Sequence, residues 1–599
     1  MKYIDEKFKE ASPAETVERI KKILEDMGIE TEEKWFDSGI DNCWSLSLSA
    51  IGGMPSSNGK GVSRELARAS AYGEFIERLQ GGLFFNKYQG IVKDPQMNLQ
   101  NFASDVRYMT KEELKENGDW MDYLIQTYGP GITRDTIVKF CELYACTDED
   151  RIPVIPFYSL FEDKYVYLPV GFVDQMYATN GCCAGNTRDE AWVHALSEMM
   201  ERNAALKMLI SGEAAPQIPE EVLKQYPVVM HIVNQIRAQG NFTIEMLDYS
   251  IGNGFPIVCT RLINKKNQAY RVNVAADPVL EIALERSLTE MLQGKHIEKF
   301  SVKHNGKILN HITEVSTVNN VINQLETGSG VYTVDAFANE LTCKREPAQF
   351  ADRSDSTNAE LLNYLLELYK ETGKPVYVRD FSFLGFPCYR FVVPGFSESV
   401  AVKLSDILPE KIAMESSKIL KDIASADNNA LGLVVAHSRL ISTLYSRYTD
   451  FGKLAGVPLK AKANPMLTAI THSYVSYRLG DYPKAIKYLN GIERSQVIDE
   501  DTKGYFACVA QYLTMQNKGV TEDKIRLILS KFFDEKYVEM LYKNIEKDSN
   551  PYQSYLFKCD LNRCEQCRYR ESCLYHECKA LNIKVGNVYK NFVQGQFCD

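Results

Sequence analysis

A glutamate three positions before a second acid or an amide recurs at three places: Glu74-Phe-Ile-Glu77-Arg78, Glu198-Met-Met-Glu201-Arg202 and Glu290-Met-Leu-Gln293-Gly294. On a helix this spacing puts both side chains of a pair on one face. Folding alone does not ask for the pattern three times at such wide separations. A solvated face laced with i,i+4 ion pairs explains any single copy. The recurrence, with arginine after the second glutamate twice, points instead to helices that converge. Carboxylates gathered in one cavity repel unless cations neutralise them. Hard oxygen ligands suit Mg²⁺, and Mg²⁺ among carboxylates commonly accompanies a nucleotide polyphosphate.

The elements that must carry these residues follow from periodicity. Residues 14–27 read as a helix stopped at Gly28, and a strand is expected around Trp44–Leu48. Ser56–Gly61 reads as a turn into a helix ending near Arg78. Ser70, Glu74, Glu77 and Arg78 form one stripe of that helix, packed by Leu66, Ala69, Tyr72, Phe75, Ile76 and Leu79. A second helix aligns Glu190, His194, Ser197, Glu198, Glu201 and Arg202. The small-residue approach to it, Asn180–Thr187, lets backbone come close to a ligand, and Asn186 offers donor and acceptor. A third helix aligns Arg286, Glu290 and Gln293. Cys182 and Cys183 in the approach loop are explained by size, with a nucleophile as the alternative. Gly59-Lys60-Gly61 is not a phosphate loop: Gly53 is one residue too distant, and Gly61 stands where a hydroxyl residue is needed.

Further strands are expected at 165–169, 256–260, 270–274, 376–379 and 388–393, and helices at 216–239, 277–297 and 358–372. Residues 1–400 therefore read as an α/β (α+β) domain. From 405 to 545 the pattern is helical. Residues 470–490 are compatible with a tetratricopeptide unit or an ordinary helical hairpin. A Cys-rich tail, 550–599, forms a third segment.

The chain has 599 residues, too many for one core, with 45% hydrophobic and 25% charged residues, an ordinary globular balance. A formal charge of −10 gives no nucleic-acid footprint. No signal peptide or bilayer-spanning run is present, so a cytoplasmic enzyme without direct nucleic-acid or membrane contact is expected.

The motifs resemble those of the YcaO family. Asn58-Gly-Lys-Gly, Ala69-Ser70-Ala and Gly73-Glu74-x-x-Glu77-Arg78 are similar to its first signature. Asn180–Thr187 with Glu190-Ala191 and Leu196-Ser197-Glu198-x-x-Glu201-Arg202 resembles the second. Ala283-Leu284-Glu285-Arg286 with Thr289-Glu290-x-Leu292-Gln293-Gly294 resembles the third. The resemblance implies an ATP- and Mg²⁺-binding domain over residues 1–400 that activates a peptide-backbone amide by phosphorylating its oxygen. It implies Glu74, Glu77, Glu198 and Glu201 as Mg²⁺ ligands, with Glu190 and Glu290 as additions. Arg202 and Arg286 would contact phosphate and Asn186 the nucleotide. Spacing from Gly28 and Trp44 places Lys9 and Thr16 where the family has nucleotide-binding residues. The helical region resembles the tetratricopeptide-like tail of the family's founding member.

Azoline-forming members end in a Pro-rich tail and carry fused partner domains, whereas this chain ends Val593–Asp599 with nothing recognised before residue 1. The subgroup implied is the accessory factor for β-methylthiolation of ribosomal protein S12, working as a homodimer beside a radical-SAM methylthiotransferase. Peptide maturation to azolines or thioamides, and a non-catalytic ATP-binding scaffold, are the alternatives.

Six of the 15 cysteines crowd into the last 41 residues. Cys559, Cys564, Cys567, Cys573 and Cys578 have spacings suited to a metal, with zinc and an iron–sulfur cluster both open. The Cys-x2-Cys-x5-Cys core resembles the auxiliary-cluster segment of radical-SAM maturases.

Overall fold

The computed structural model describes residues 9–50, 55–84, 95–129, 131–145, 151–212, 214–250, 254–299, 320–321, 324, 330–399, 415–444, 451–460, 463–495, 498–560 and 563–592. Gly53, Cys598, the Val593–Asp599 terminus and the expected domain boundary near residue 405 lie outside them. Packing divides the chain into two units. One comprises Met1–Asn86, Pro95–Leu404 and Leu581–Asp599; the other comprises Lys87–Asp94 and Ser405–Ala580.

The first unit opens with α1 (Pro13–Asp26). Ser12 and Glu15 form a reciprocal capping box, Pro13 stands in the first turn, and Gly28 follows the end at φ +60°. Next come β1 (Thr31–Phe36), β2 (Trp44–Ala50) and β3 (Ser56–Gly61), a three-stranded antiparallel sheet in chain order. The expected turn at Ser56–Gly61 is therefore a strand, pairing Leu46 with Gly59 and Trp44 with Gly61. Glycine is required there for packing. A Cβ at Gly59 would collide with the Ala67 carbonyl and Ala71 amide of α2 (Arg64–Gln80), so its absence lets strand and helix touch through their backbones.

The chain continues through β4 (Arg107–Met109), α3 (Lys111–Glu116), α4 (Trp120–Tyr128), α5 (Arg134–Tyr144), β5 (Ile152–Ser159), β6 (Lys164–Pro169), α6 (Val170–Met176) and β7 (Cys182–Ala184). Then follow α7 (Arg188–Ser211), α8 (Glu220–Leu223), α9 (Pro227–Ala238), β8 (Phe242–Asp248), β9 (Ile257–Asn264), β10 (Ala269–Ala276) and α10 (Leu280–Met291). After the helix Asn358–Glu371 come β11 (Tyr377–Asp380) and β12 (Cys388–Val392). The sheets are β10-β9-β8 and β4-β5-β11-β12-β7, with β6 also paired to β5; all these pairings are antiparallel.

Two departures from expectation concern helices. Prolines 219 and 227 split the 216–239 stretch into α8 and α9, with Pro227 in the first turn of α9. α10 stops at Met291, so Gln293 lies beyond it rather than on the Glu290 face. Besides β3, five described strands (β1, β4, β5, β7 and β8) were not anticipated.

α7 runs through the core. Leu196, Met199 and Leu209 pack with Val272 and Val274 of β10, Phe391 of β12, and Leu361 and Leu365 of the 358–371 helix. Trp192 stands edge-on to Tyr389 and Phe391. α10 packs differently: Leu284 and Leu288 join Ile232 and Ile236 of α9 and Val258 and Leu262 of β9. Each such side chain stabilises the fold by roughly 1.5–3 kcal/mol through burial. The unit also takes in the C-terminal segment. Buried Arg379 donates to both Asp105 oxygens at 3.0 and 2.8 Å and to the Tyr589 hydroxyl at 2.7 Å, and Asn582 donates to the Gln96 carbonyl.

The second unit is helical. The helices Ala463–Arg478 and Tyr482–Glu493 form a hairpin, turned at Gly480 (φ +81°) and capped by Asp481, which accepts from the Lys484 amide at 3.1 Å. Glu500–Asn517, Glu522–Phe532 and Glu535–Asp548 follow. Tyr474, Phe506 and Tyr555 pack around Tyr552 or one another. Residues 550–580, with three short 3-10 turns among the described residues, belong to this unit.

Candidate functional site

Three helices and one strand present their charged residues to one another. Glu201 of α7 accepts from Arg286 of α10 and from the Ala276 amide at the end of β10, both at 3.2 Å. Glu290 pairs with Lys60 of β3 at 2.5 Å and Arg286 at 3.8 Å, and accepts from Asn273 at 3.3 Å. One turn before Glu201, Glu198 pairs with Arg202 at 3.2 Å and faces His194 at 4.0 Å. His194 Nδ1 in turn lies 3.3 Å from Arg286. On α2, Arg78 pairs with Glu77 at 2.9 Å and Glu74 at 3.7 Å. The α2 pair belongs to the same field, since Glu198 and Lys60 both act on Glu77.

A second group adjoins at the N-terminus of α7. Thr16 of α1 donates to Asn186 at 3.0 Å, and Asn186 donates to Glu190 at 3.2 Å. Lys9 pairs with Glu190 at 3.4 Å, and the Glu10 amide donates to it at 3.0 Å. Thr187 caps α7, whose first-turn amides favour anions. Lys9 also acts on His194 and Asp277, so the two groups share one electrostatic field.

Glu77, Glu190 and Glu201 are all buried. Burial pushes the Glu77 carboxyl up to about 8; Arg78 opposes the shift, while Glu198 and Glu74 add to it. Burial and the neighbouring Glu290 hold Glu201 above the usual carboxylate range. Glu290 goes the other way: against burial, Lys60 and then Arg286 hold it ionised. Burial, reinforced by Arg286, keeps His194 neutral. Ser197, fully buried on α7, has a hydroxyl with no hydrogen-bond partner among the described residues.

The six expected carboxylates thus fall into two adjoining sets, Glu190 with the Lys9–Thr16–Asn186 group and the other five with the arginines. Lys60, Arg78 and His194 complete the second set. Lys60 was set aside when the phosphate-loop pattern failed, although a lysine between two glycines was the signal that could have found it. Cys182 and Cys183 are buried; burial pushes Cys182 up to about 12 and Cys183 well above its usual value, leaving both protonated and unreactive. Gln293 lies beyond the end of α10.

Among the described residues, no three His, Cys, Asp or Glu side chains stand close enough to ligate an ion without adjustment. In the carboxylate set the chain's own lysine and arginines hold the glutamates. The donor set nonetheless fits a hard cation: all its oxygens are carboxylate oxygens, and two of the carboxyls are raised by burial together with neighbouring carboxylates, a repulsion that a cation would relieve. No helix among the described residues is long and apolar enough to cross a membrane.

The chain is similar to several known proteins. A family model described as YcaO cyclodehydratase, ATP- and Mg²⁺-binding, matches residues 58–397. An uncharacterized protein of Haemophilus influenzae is 25% identical over 558 residues, 91% of this chain and 92% of that one. The Escherichia coli K12 protein named ribosomal protein S12 methylthiotransferase accessory factor YcaO is 29% identical over 397 residues, 65% of this chain and 66% of its own length. Among solved structures, a YcaO protein from Methanopyrus kandleri bound with AMPPCP and Mg²⁺ is 18% identical, with TM-score 0.39, over 66% of this chain and 94% of that one. A heterocyclase in complex with substrate and cofactor is 17% identical, with TM-score 0.47, over 65% of this chain and 53% of that one.

Proposed function

The chain belongs to the YcaO family, and on that premise we propose that it binds ATP with Mg²⁺ and activates a peptide-backbone amide by phosphoryl transfer. The observation that carries this reading is the meeting of α2, α7 and α10 in one buried acidic field beside the Lys9–Thr16–Asn186–Glu190 group. In it, Glu74, Glu77, Glu198, Glu201 and Glu290 hold Mg²⁺. Lys9, Thr16, Asn186 and Glu190 seat the nucleotide.

Bound ATP supplies the reactive phosphorus, and the chain's task is to place it and offset charge developing on the transferred group. Arg202 and Arg286 are aimed for that task, since each already lies on a glutamate of the cluster and presents further donors. Lys60 holds Glu290 ionised, so this carboxylate is ready for a cation without first losing a proton. Neutral His194 braces Arg286 without adding positive charge.

The finer role we propose is that of an accessory factor in β-methylthiolation of ribosomal protein S12, acting as a homodimer beside a radical-SAM methylthiotransferase. The name of the Escherichia coli relative supports it. The cyclodehydratase description of the family model favours a second reading, a maturase of ribosomal peptides. ATP turnover by the purified chain with Mg²⁺, lost in Glu201→Ala and Arg202→Ala with the fold intact, tests the site. Unmodified S12 in a deletion strain, seen by mass spectrometry, supports the accessory role; fully modified S12 excludes it.

A further inference from the structure

Among the described residues, four cations stand between the five glutamates of the acidic field, and they are not placed alike. Each arginine sits on a helix that also carries a carboxylate it holds, one turn away. Arg78 pairs with Glu74, Arg202 with Glu198 and Arg286 with Glu290, all at i,i+4 spacing. Such a pair travels with its helix, and neither member can withdraw far from the other. Lys60 comes instead from a strand, β3, and reaches across to hold Glu290 of α10 at 2.5 Å.

The backbone and the side chain of Lys60 differ in freedom. The backbone is pinned, because Lys60 pairs with Ser45 of β2 and the glycines on either side of it lie against α2. A Cβ at Gly59 would collide with the Ala67 carbonyl, and one at Gly61 would stand 2.7 Å from the Ala67 amide. The side chain is a compact charge on a flexible four-carbon stem and is 28% exposed. Its ammonium can therefore turn to a new partner without moving the strand.

Glu290 is equipped for that exchange. It accepts from Asn273 at 3.3 Å and lies 3.8 Å from Arg286, so two groups still orient it when the ammonium leaves. Arg286 is braced in turn by Glu201 at 3.2 Å and His194 at 3.3 Å. Lys60 thus differs from the arginines in two ways. It can leave, and its departure frees a carboxylate that stays in place.

We propose that Lys60 is a positioning residue that stands in for the metal, an inference that rests on the ATP- and Mg²⁺-binding reading. It holds Glu290 while the site lacks nucleotide, and it yields that carboxylate to Mg²⁺ when a polyphosphate is present to receive its ammonium. Electrostatics gives the direction. Mg²⁺ entering alone turns Lys60 out to water and adds charge to a field that its own cations already balance. ATP brings more negative charge than one Mg²⁺ removes, and phosphate oxygens replace Glu290 as the partner of the lysine. Nucleotide and metal therefore favour each other's binding through one side chain, equally in both directions.

Titration calorimetry on the full-length protein separates the two occupants, with magnesium chloride alone and AMPPCP in EDTA as the probes. Lys60→Met should bind Mg²⁺ about tenfold more tightly than the unaltered protein, and metal-free AMPPCP about tenfold more weakly. A side chain that merely supports the fold would weaken both, and a simple phosphate contact would leave Mg²⁺ affinity unchanged; either result overturns the inference. Should Lys60→Met fail to fold, the unaltered protein still decides. Reductive methylation of Lys60, read by peptide mass spectrometry, should rise with saturating Mg²⁺ and fall again when AMPPCP is added. Labelling that ignores both additions would overturn the inference. Unaltered protein that binds AMPPCP neither with nor without Mg²⁺ would overturn the reading beneath it as well.

Discussion

The acidic field and the cysteine-bearing turns of the helical unit gather like groups on opposite kinds of scaffold. The glutamates ride on α2, α7 and α10, whose positions are set by apolar packing on several sides. Lysine and arginines already lie between them, so the acidic charge is balanced by the chain itself. The cysteines stand on three-residue turns held by single backbone hydrogen bonds, with few cations beside them. The contrast teaches that carboxylates built on long packed helices need internal counterions, because packing prevents them from moving apart. Burial raises the Cys559, Cys564 and Cys573 thiols, which therefore carry no charge to balance.

The largest break in this comparison should come from Glu201→Ala, which frees Arg286 and the Ala276 amide together. ATP turnover should fall by at least about 100-fold with little change in circular dichroism. Gly59→Val should cost about 2 kcal/mol or more by forcing β3 away from α2, seen as a lowered urea midpoint with turnover also reduced. A normal midpoint would mean that strand and helix are not docked through that glycine.

Proton linkage sharpens the contrast further. The folded Glu77 value of about 8 lies above its ordinary 4.5. Its contribution to stability is therefore present at low pH and is lost as pH rises through about 8. A cation that takes the carboxylate offsets that loss. The rise in Tm produced by Mg²⁺ should be larger at about pH 8.5 than at about pH 6. Equal rises would mean that Glu77 is ionised without the metal. Asn273→Ala should weaken Mg²⁺ binding only by the worth of one hydrogen bond, about 1 kcal/mol, measured by titration calorimetry. Smallest of all, Cys564→Ser/Cys567→Ser should leave ATP turnover within about twofold, since neither thiol belongs to the acidic field.

Much of the acidic site was legible because a helix turns spacing into facing. Glu74, Glu77, Glu198 and Glu201 share a field as their intervals require, and Lys9 and Thr16, placed by spacing alone, meet Glu190 and Asn186. What escaped notice depends on partners distant in sequence. Lys60 acquires its role only when β3 lies against α2 and α10 comes alongside. β5 contains Pro153 and Pro156, which argue against a strand, yet all eight of its residues are buried and it pairs with β4, β6 and β11. Gln293 was misplaced because helix periodicity was extended two residues past the end of α10.

The bonds from Arg379 to Tyr589 and from Asn582 to Gln96 bear on the order of synthesis. The first unit is built from segments on either side of the helical one, and its buried arginine finds its hydroxyl partner only near the end of the chain. During translation the helical residues emerge before that partner does. The nascent first unit therefore waits with Arg379 incompletely satisfied, and early termination anywhere before Leu581 leaves it so. Such a truncated product should be cleared by proteolysis although every glutamate of the acidic site has already been made.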